Sequence, residues 1–156
     1  MVLNSRFKYI EWEKNMKKVL FTNPNGREIE VTDIHLLKFD LIDNFNSYWM
    51  QGSGDGYFDF YLDGKRISSL FLGPNINEGL YLHYVDRVNK KDFLSLKDIN
   101  QLHEVAETAE EIYASKGLFL EKEIAWETIC YFFDNGTNSP KVEWITPDII
   151  PADGNW

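Results

Sequence analysis

The chain has almost no cysteine: Cys130 stands alone among 156 residues. One thiol makes no internal disulfide and no cysteine-based zinc cluster, and it fits a reducing compartment, so the expected location is the cytoplasm. Histidine is nearly as scarce. His35, His83 and His103 are the whole supply, and none has a second His or a Cys one turn away, which removes the His-Glu-x-x-His and zinc-finger patterns. Long apolar runs are missing too. No stretch reaches the roughly 20 residues a membrane-spanning helix needs, and the opening "MVLNSRFKYIEWEKNMKK" mixes charge into every turn, unlike a signal peptide. Basic residues are in deficit, 16 against 25 acidic ones, for a formal net charge of −9. Such a surface repels phosphate backbones and anionic headgroups, so the expectation is no direct nucleic-acid partner and no membrane. The natural complement is a basic protein.

What the chain does have is aromatic mass. At 15% aromatic and 44% hydrophobic it carries enough large side chains for one core in a single domain over residues 1–156, and it does not read as disordered. Within "VLFTNPNGREIEV", Asn25-Gly26 predicts a hairpin with strands near 18–22 and 27–32, because both turn residues tolerate positive φ. "TDIHLLKFDLIDNFNSYW" follows, with Ile34, Leu37, Leu41 and Phe45 on one helical stripe and Thr32 or Asp33 placed to cap it. Three β-rich runs, "YFDFYL", "KRISSLFLG" and "LYLHYVDRV", predict an antiparallel meander. "SLKDINQLHEVAETAEEIYASKG" begins with a Ser-x-x-Asp cap signature, repeats apolar residues from Ile99 through Leu102 to Ile112 and closes at Gly117; it predicts a helix over roughly 98–115. A further helix is expected over 121–135, stopping at Gly136, and "PKVEWIT" reads as a last strand. The fold class is therefore α+β, an antiparallel sheet of about five or six strands with helices packed mainly on one face.

Glycines at 52, 54 and 56 raise the question of a phosphate cradle. Nucleotide loops need a strand, then glycines, then a helix whose N-terminal amides face the phosphate. Here the glycines follow a helix and precede a strand, and no Lys-Ser or Lys-Thr pair follows them, so they read as a connection. Cys130 sits beside Phe132 and Phe133 and reads as an inert buried thiol. Trp126, with Ile129 and Phe133 at helical spacing, reads as core. The sequence predicts no cofactor, no metal and no catalytic residue.

The first meander strand alternates Phe58, Phe60 and Leu62 with Tyr57, Asp59 and Tyr61. The first set is core. The second, with Asp55 and Asp63 beside it and Tyr81 and His83 on the third meander strand, forms an aromatic and acidic face suited to a basic protein partner. The candidate partner-binding residues are Asp55, Tyr57, Asp59, Tyr61, Asp63, Tyr81 and His83. Two alternatives stay open: this face is covered by a helix, or Asp59 and His83 border the pocket of a small enzyme or ligand-binding protein. An adaptor for some other basic protein also fits the charge.

The succession "GLYLHYVDR", "SLKDINQLHEVAETAEEIYASKG" and "EIAWETICYFFDNGTNSPKVEWI" resembles the first-numbered family of immunity proteins from bacterial polymorphic-toxin and contact-dependent inhibition systems. The likeness covers about residues 57–146 and is carried by Phe132-Phe133, the turn with Gly136 and Pro140, and Val142-Glu143-Trp144. It implies a protein that binds and blocks a cognate toxin, a nucleic-acid deaminase or nuclease among the candidates, inside the cell that makes it. It implies no catalytic residue, and its matching aromatics belong to a core.

Overall fold

Asn23 organises the first turn: its side-chain oxygen accepts the backbone N–H of Asn25 at 3.0 Å and of Arg27 at 2.9 Å, and Gly26 takes a φ of 79°. The turn joins β1 (Lys17–Thr22) to β2 (Glu28–Glu30), which pair antiparallel as Asn-Gly predicts. The computed structural model describes residues 16–51, 54–108 and 112–156. The first fifteen residues, including most of the charged opening, and Gly52 lie outside the described residues.

The meander follows as expected and is longer than expected. β3 (Gly56–Leu62), β4 (Lys65–Asn75), β5 (Gly79–Asp86) and β6 (Lys91–Leu96) pair in succession, and β10 (Glu143–Ile145) adds to β6. The order is β10-β6-β5-β4-β3-β1-β2, and β9 (Phe119–Leu120) pairs with β5 as the eighth strand. Asp63 and Gly64 turn β3 into β4 with φ of 54° and 77°, the two positive values that a tight hairpin with matching twist requires. A bulge beside Phe60, with Ile67 of β4 as the extra residue, shifts the register; Phe58 and Phe60 are buried, and Leu62, next to the turn, is half-buried.

One sheet face carries the main core. The helical segment after β2 does put Ile34, Leu37, Leu41 and Phe45 inside, as its stripe predicts. Its backbone, however, changes pitch: a 3-10 turn (Ile34–Leu37), a π turn (Phe39–Asp43) and a short α1 (Phe45–Trp49). Those changes let Ile42 and Trp49 bury as well, and the Trp49 indole N–H donates to the Leu41 carbonyl at 3.1 Å. The second helix, α2 (Lys122–Asn135), sets Trp126, Ile129, Phe132 and Phe133 against Phe60, Leu70, Leu82 and Tyr84 in one cluster. Gly136 ends it at φ 70°, with its N–H donating to the Phe132 carbonyl at 2.7 Å.

The helix expected over 98–115 does not form. Asp98 caps a single 3-10 turn (Ile99–Gln101), after which the chain forms the small hairpin β7 (Val105–Glu107) and β8 (Tyr113–Ser115). Ser95, read as a cap, lies fully buried in β6, where its hydroxyl donates to the Leu118 carbonyl and accepts the Leu82 N–H. Gly117 is no terminator either; its carbonyl accepts the N–H groups of Lys97 and Asp98. Tertiary demand overrides the local pattern. The far face of β5 and β6 needs a cover, and Leu102, Ala114, Leu118 and Phe119 provide it against Leu94 and Leu96. Of the supposed helical stripe only Leu102 is buried, while Ile99, Val105 and Ile112 are exposed.

Candidate binding face

Strand alternation puts Tyr57 and Asp59 of β3, Ser69, Phe71 and Gly73 of β4, and Tyr81, His83 and Val85 of β5 on the face away from α2. Among the described residues, the cover on this face comes from the segment around 102–119 and from Ile145 and Ile150, and it lies over β5 and β6. No helix covers it there, so the alternative of a helix-capped face finds irregular chain and a hairpin in the helix's place.

Register then builds an aromatic row. Tyr57 stands opposite Phe71, and Phe71 opposite His83. The Tyr57 and Phe71 rings are 5.2 Å apart between centroids, and Phe71 and His83 stack at 5.4 Å. Trp156 closes the row, edge-on to His83 at 4.7 Å. Tyr57, Phe71 and His83 are each half-buried. Burial pulls the His83 imidazole below its ordinary pKa, with Arg87 adding in the same direction, while Asp92 opposes from 3.6 Å away.

One register step along sits a polar row, with Asp59 opposite Ser69 and Ser69 opposite Val85. Asp59 is only 5% exposed. Its carboxylate accepts the Ser69 hydroxyl at 2.5 Å and lies 3.8 Å from Nη1 of Arg66. Asp59 is therefore corrected from a steering surface charge to an internal organiser. Ser69 is also buried, and its hydroxyl oxygen accepts Nε–H of Arg87 at 2.8 Å.

Tyr81 needs a similar correction. Its ring lies flat over Gly73, where any Cβ would collide with it, and meets Phe119 edge-on at 5.5 Å. Burial, with Asp55 adding charge repulsion, pushes its hydroxyl up to about 12. It belongs to the second core more than to a docking surface. Of the remaining candidates, Asp55 and Tyr61 are half-buried and Asp63 is exposed at the β3–β4 turn. The face thus keeps Asp55, Tyr57, Tyr61 and His83, with Asp63 at its rim, and gains Phe71, Arg66, Arg87 and Trp156. Phe71 was legible, since alternation opposite Leu70 and Leu72 sends it to this face. Arg87 and Trp156 carried no local signal, because only tertiary folding brings them here.

Asp59 and His83 lie on strands separated by β4 and spend their contacts on different partners. Four surface hollows, of about 270, 320, 390 and 530 Å³, are lined by neither residue. Among the described residues no group of three or more His, Cys, Asp or Glu is placed to hold a metal, and no helix is long and apolar enough to cross a membrane. Cys130 is half-buried, and burial, reinforced by Asp134 and Glu127, pushes its thiol up to about 11, away from nucleophilic use. Gly54, at φ 82°, lies between α1 and β3, and Gly56 opens β3.

No family model matches the chain, and no curated protein and no solved structure matches it. The likeness to immunity proteins rests on the quoted residues alone.

Proposed function

We propose that the chain is an immunity protein: it binds a cognate bacterial toxin with a basic surface, in the cytoplasm of the cell that makes the toxin, and neutralises it by covering that surface. The observation that carries this reading is the in-register row of Tyr57, Phe71 and His83, half-buried on a sheet face that is also partly polar. Rigid aromatics held by neighbouring strands lose little entropy on docking, and Tyr is enriched among residues that dominate binding energy. The net charge of −9 supplies the second element, long-range attraction of a basic partner and a fast encounter. Because Asp59 is buried, that attraction comes from the acidic surface as a whole and not from the centre of the face.

A direct test is protection. The product of the reading frame beside this gene is expressed from an inducible promoter with and without this chain. The reading predicts killing or growth arrest by that product alone and survival when both are made. A non-toxic neighbour, or a toxic one that this chain leaves fully active, contradicts it.

A further inference from the structure

The centre of the same face holds an arrangement that aromatic docking does not use. A buried carboxylate, Asp59, holds the Ser69 hydroxyl as donor at 2.5 Å, which fixes the direction of that hydroxyl and turns its lone pairs outward. Arg87 donates its Nε–H to those lone pairs at 2.8 Å. The guanidinium is therefore held by its inner nitrogen, and its two terminal nitrogens have no hydrogen bond or ion pair with any described residue. Arg66, 44% exposed, stands on the other side of the same carboxylate. Two guanidiniums are thus gathered around one buried carboxylate, Arg66 directly and Arg87 through Ser69, in a chain of net charge −9. Asp92, opposite Val85 on the neighbouring strand, is turned to His83 at 3.6 Å.

A guanidinium anchored through Nε presents its remaining N–H pairs as a planar fork, the geometry that receives a carboxylate with two parallel hydrogen bonds. The aromatic row lies one register step away on β3 and β4, since Tyr57 and Phe71 are each two residues from Asp59 and Ser69. We infer that Arg87, positioned by Asp59 and Ser69 and reinforced by Arg66, is the point on this face that receives an Asp or Glu side chain of the protein partner, with an apolar neighbour of that side chain on Tyr57 and Phe71. The inference rests on the binding-face reading. It adds that a basic partner is recognised at its centre by one of its few acidic groups, so that charge alone does not select it. Asp59 and Ser69 are positioning residues; Arg87 makes the contact.

The test needs no toxin, so it fails or succeeds independently of the toxin assignment. The Nε–Hε resonance of Arg87 is followed by nuclear magnetic resonance while a blocked pentapeptide, Gly-Phe-Glu-Phe-Gly, is added, and the titration is repeated with Gln in place of Glu. The inference predicts a saturable shift at Arg87 together with shifts of the Tyr57 ring, and binding of the Gln peptide weaker by on the order of tenfold, the scale of one charge-assisted contact. Arg87→Gln should remove the preference for Glu, and Arg87→Lys should restore it only in part, because a point charge lacks the fork. Asp59→Asn, checked for intact folding by its melting curve, should weaken Glu-peptide binding without touching Arg87 itself. Arg27→Gln, on the exposed hairpin, should change nothing. Shifts that stay linear with concentration, equal binding of the two peptides, or undiminished preference in Arg87→Gln would each overturn it.

Discussion

Replacing Gly136 by Ala should cost far more than the same change at Gly26, although both glycines hold left-handed backbone. Their φ values are 70° and 79°, so each substitution carries the left-handed penalty of an L-residue, about 1–2 kcal/mol. Their surroundings differ. A Cβ at Gly26 meets nothing within 4 Å, whereas one at Gly136 lands 2.7–2.9 Å from three ring atoms of Phe60. That ring is 4% exposed and wedged edge-on against Phe132 at 6.0 Å, so it has no room to retreat. The Gly136 carbonyl is also tied to the Ser68 hydroxyl at 2.6 Å, which holds the turn in place. Overpacking of this kind costs about 1–3 kcal/mol more. The expected loss is therefore about 2–5 kcal/mol for Gly136→Ala and about 1–2 kcal/mol for Gly26→Ala. Urea unfolding with an unchanged slope measures both. Equal losses at the two sites would refute the packing of α2's end onto β3.

Two further outcomes follow from titrating groups. Tyr81 keeps its proton up to about 12, above the unfolded value of 10.0, so stability is full below pH 10 and declines as pH rises toward 12; ultraviolet titration should show this phenol ionising late, and Gly73→Ala, which evicts the ring, should bring it back toward its ordinary value. His83 is held neutral by burial, so its contribution is complete above about pH 6.5 and declines as the unfolded chain takes up a proton at lower pH. His83→Phe should flatten that acid limb, read as melting temperature against pH; an unchanged limb would assign it elsewhere.

Much of this fold was legible because short-range chemistry and long-range packing agree. Asn25-Gly26 is a turn in any context, and α2 repeats Trp126, Ile129 and Phe133 at helical spacing before a Gly that must stop it. The segment 98–115 misled because its apolar spacing fits a helix while its partner is a sheet face that is already formed. There, Val105, Ile112 and Tyr113 favour strand, and Ser95 is recruited to stitch β5, β6 and the Leu118 carbonyl together. The candidate face was half legible. Alternation located Tyr57 and His83, but it does not reveal that a carboxylate on the same side is buried, because Ser69 and Arg66 come from another strand. The same blindness hid Arg87.

The central claim is that the row of Tyr57 and Phe71 anchors a toxin, and the dissociation rate tests it most directly. The toxic product of the neighbouring reading frame is captured on a surface, and the wild-type chain, Tyr57→Ala and Phe71→Ala are passed over it, each first shown to melt as a folded protein. A buried aromatic anchor is worth on the order of 2 kcal/mol or more, so each variant should leave about thirtyfold faster while its association rate, set by net charge, changes little. Folded variants that dissociate as slowly as the wild-type chain would contradict the account and move the interface off this face.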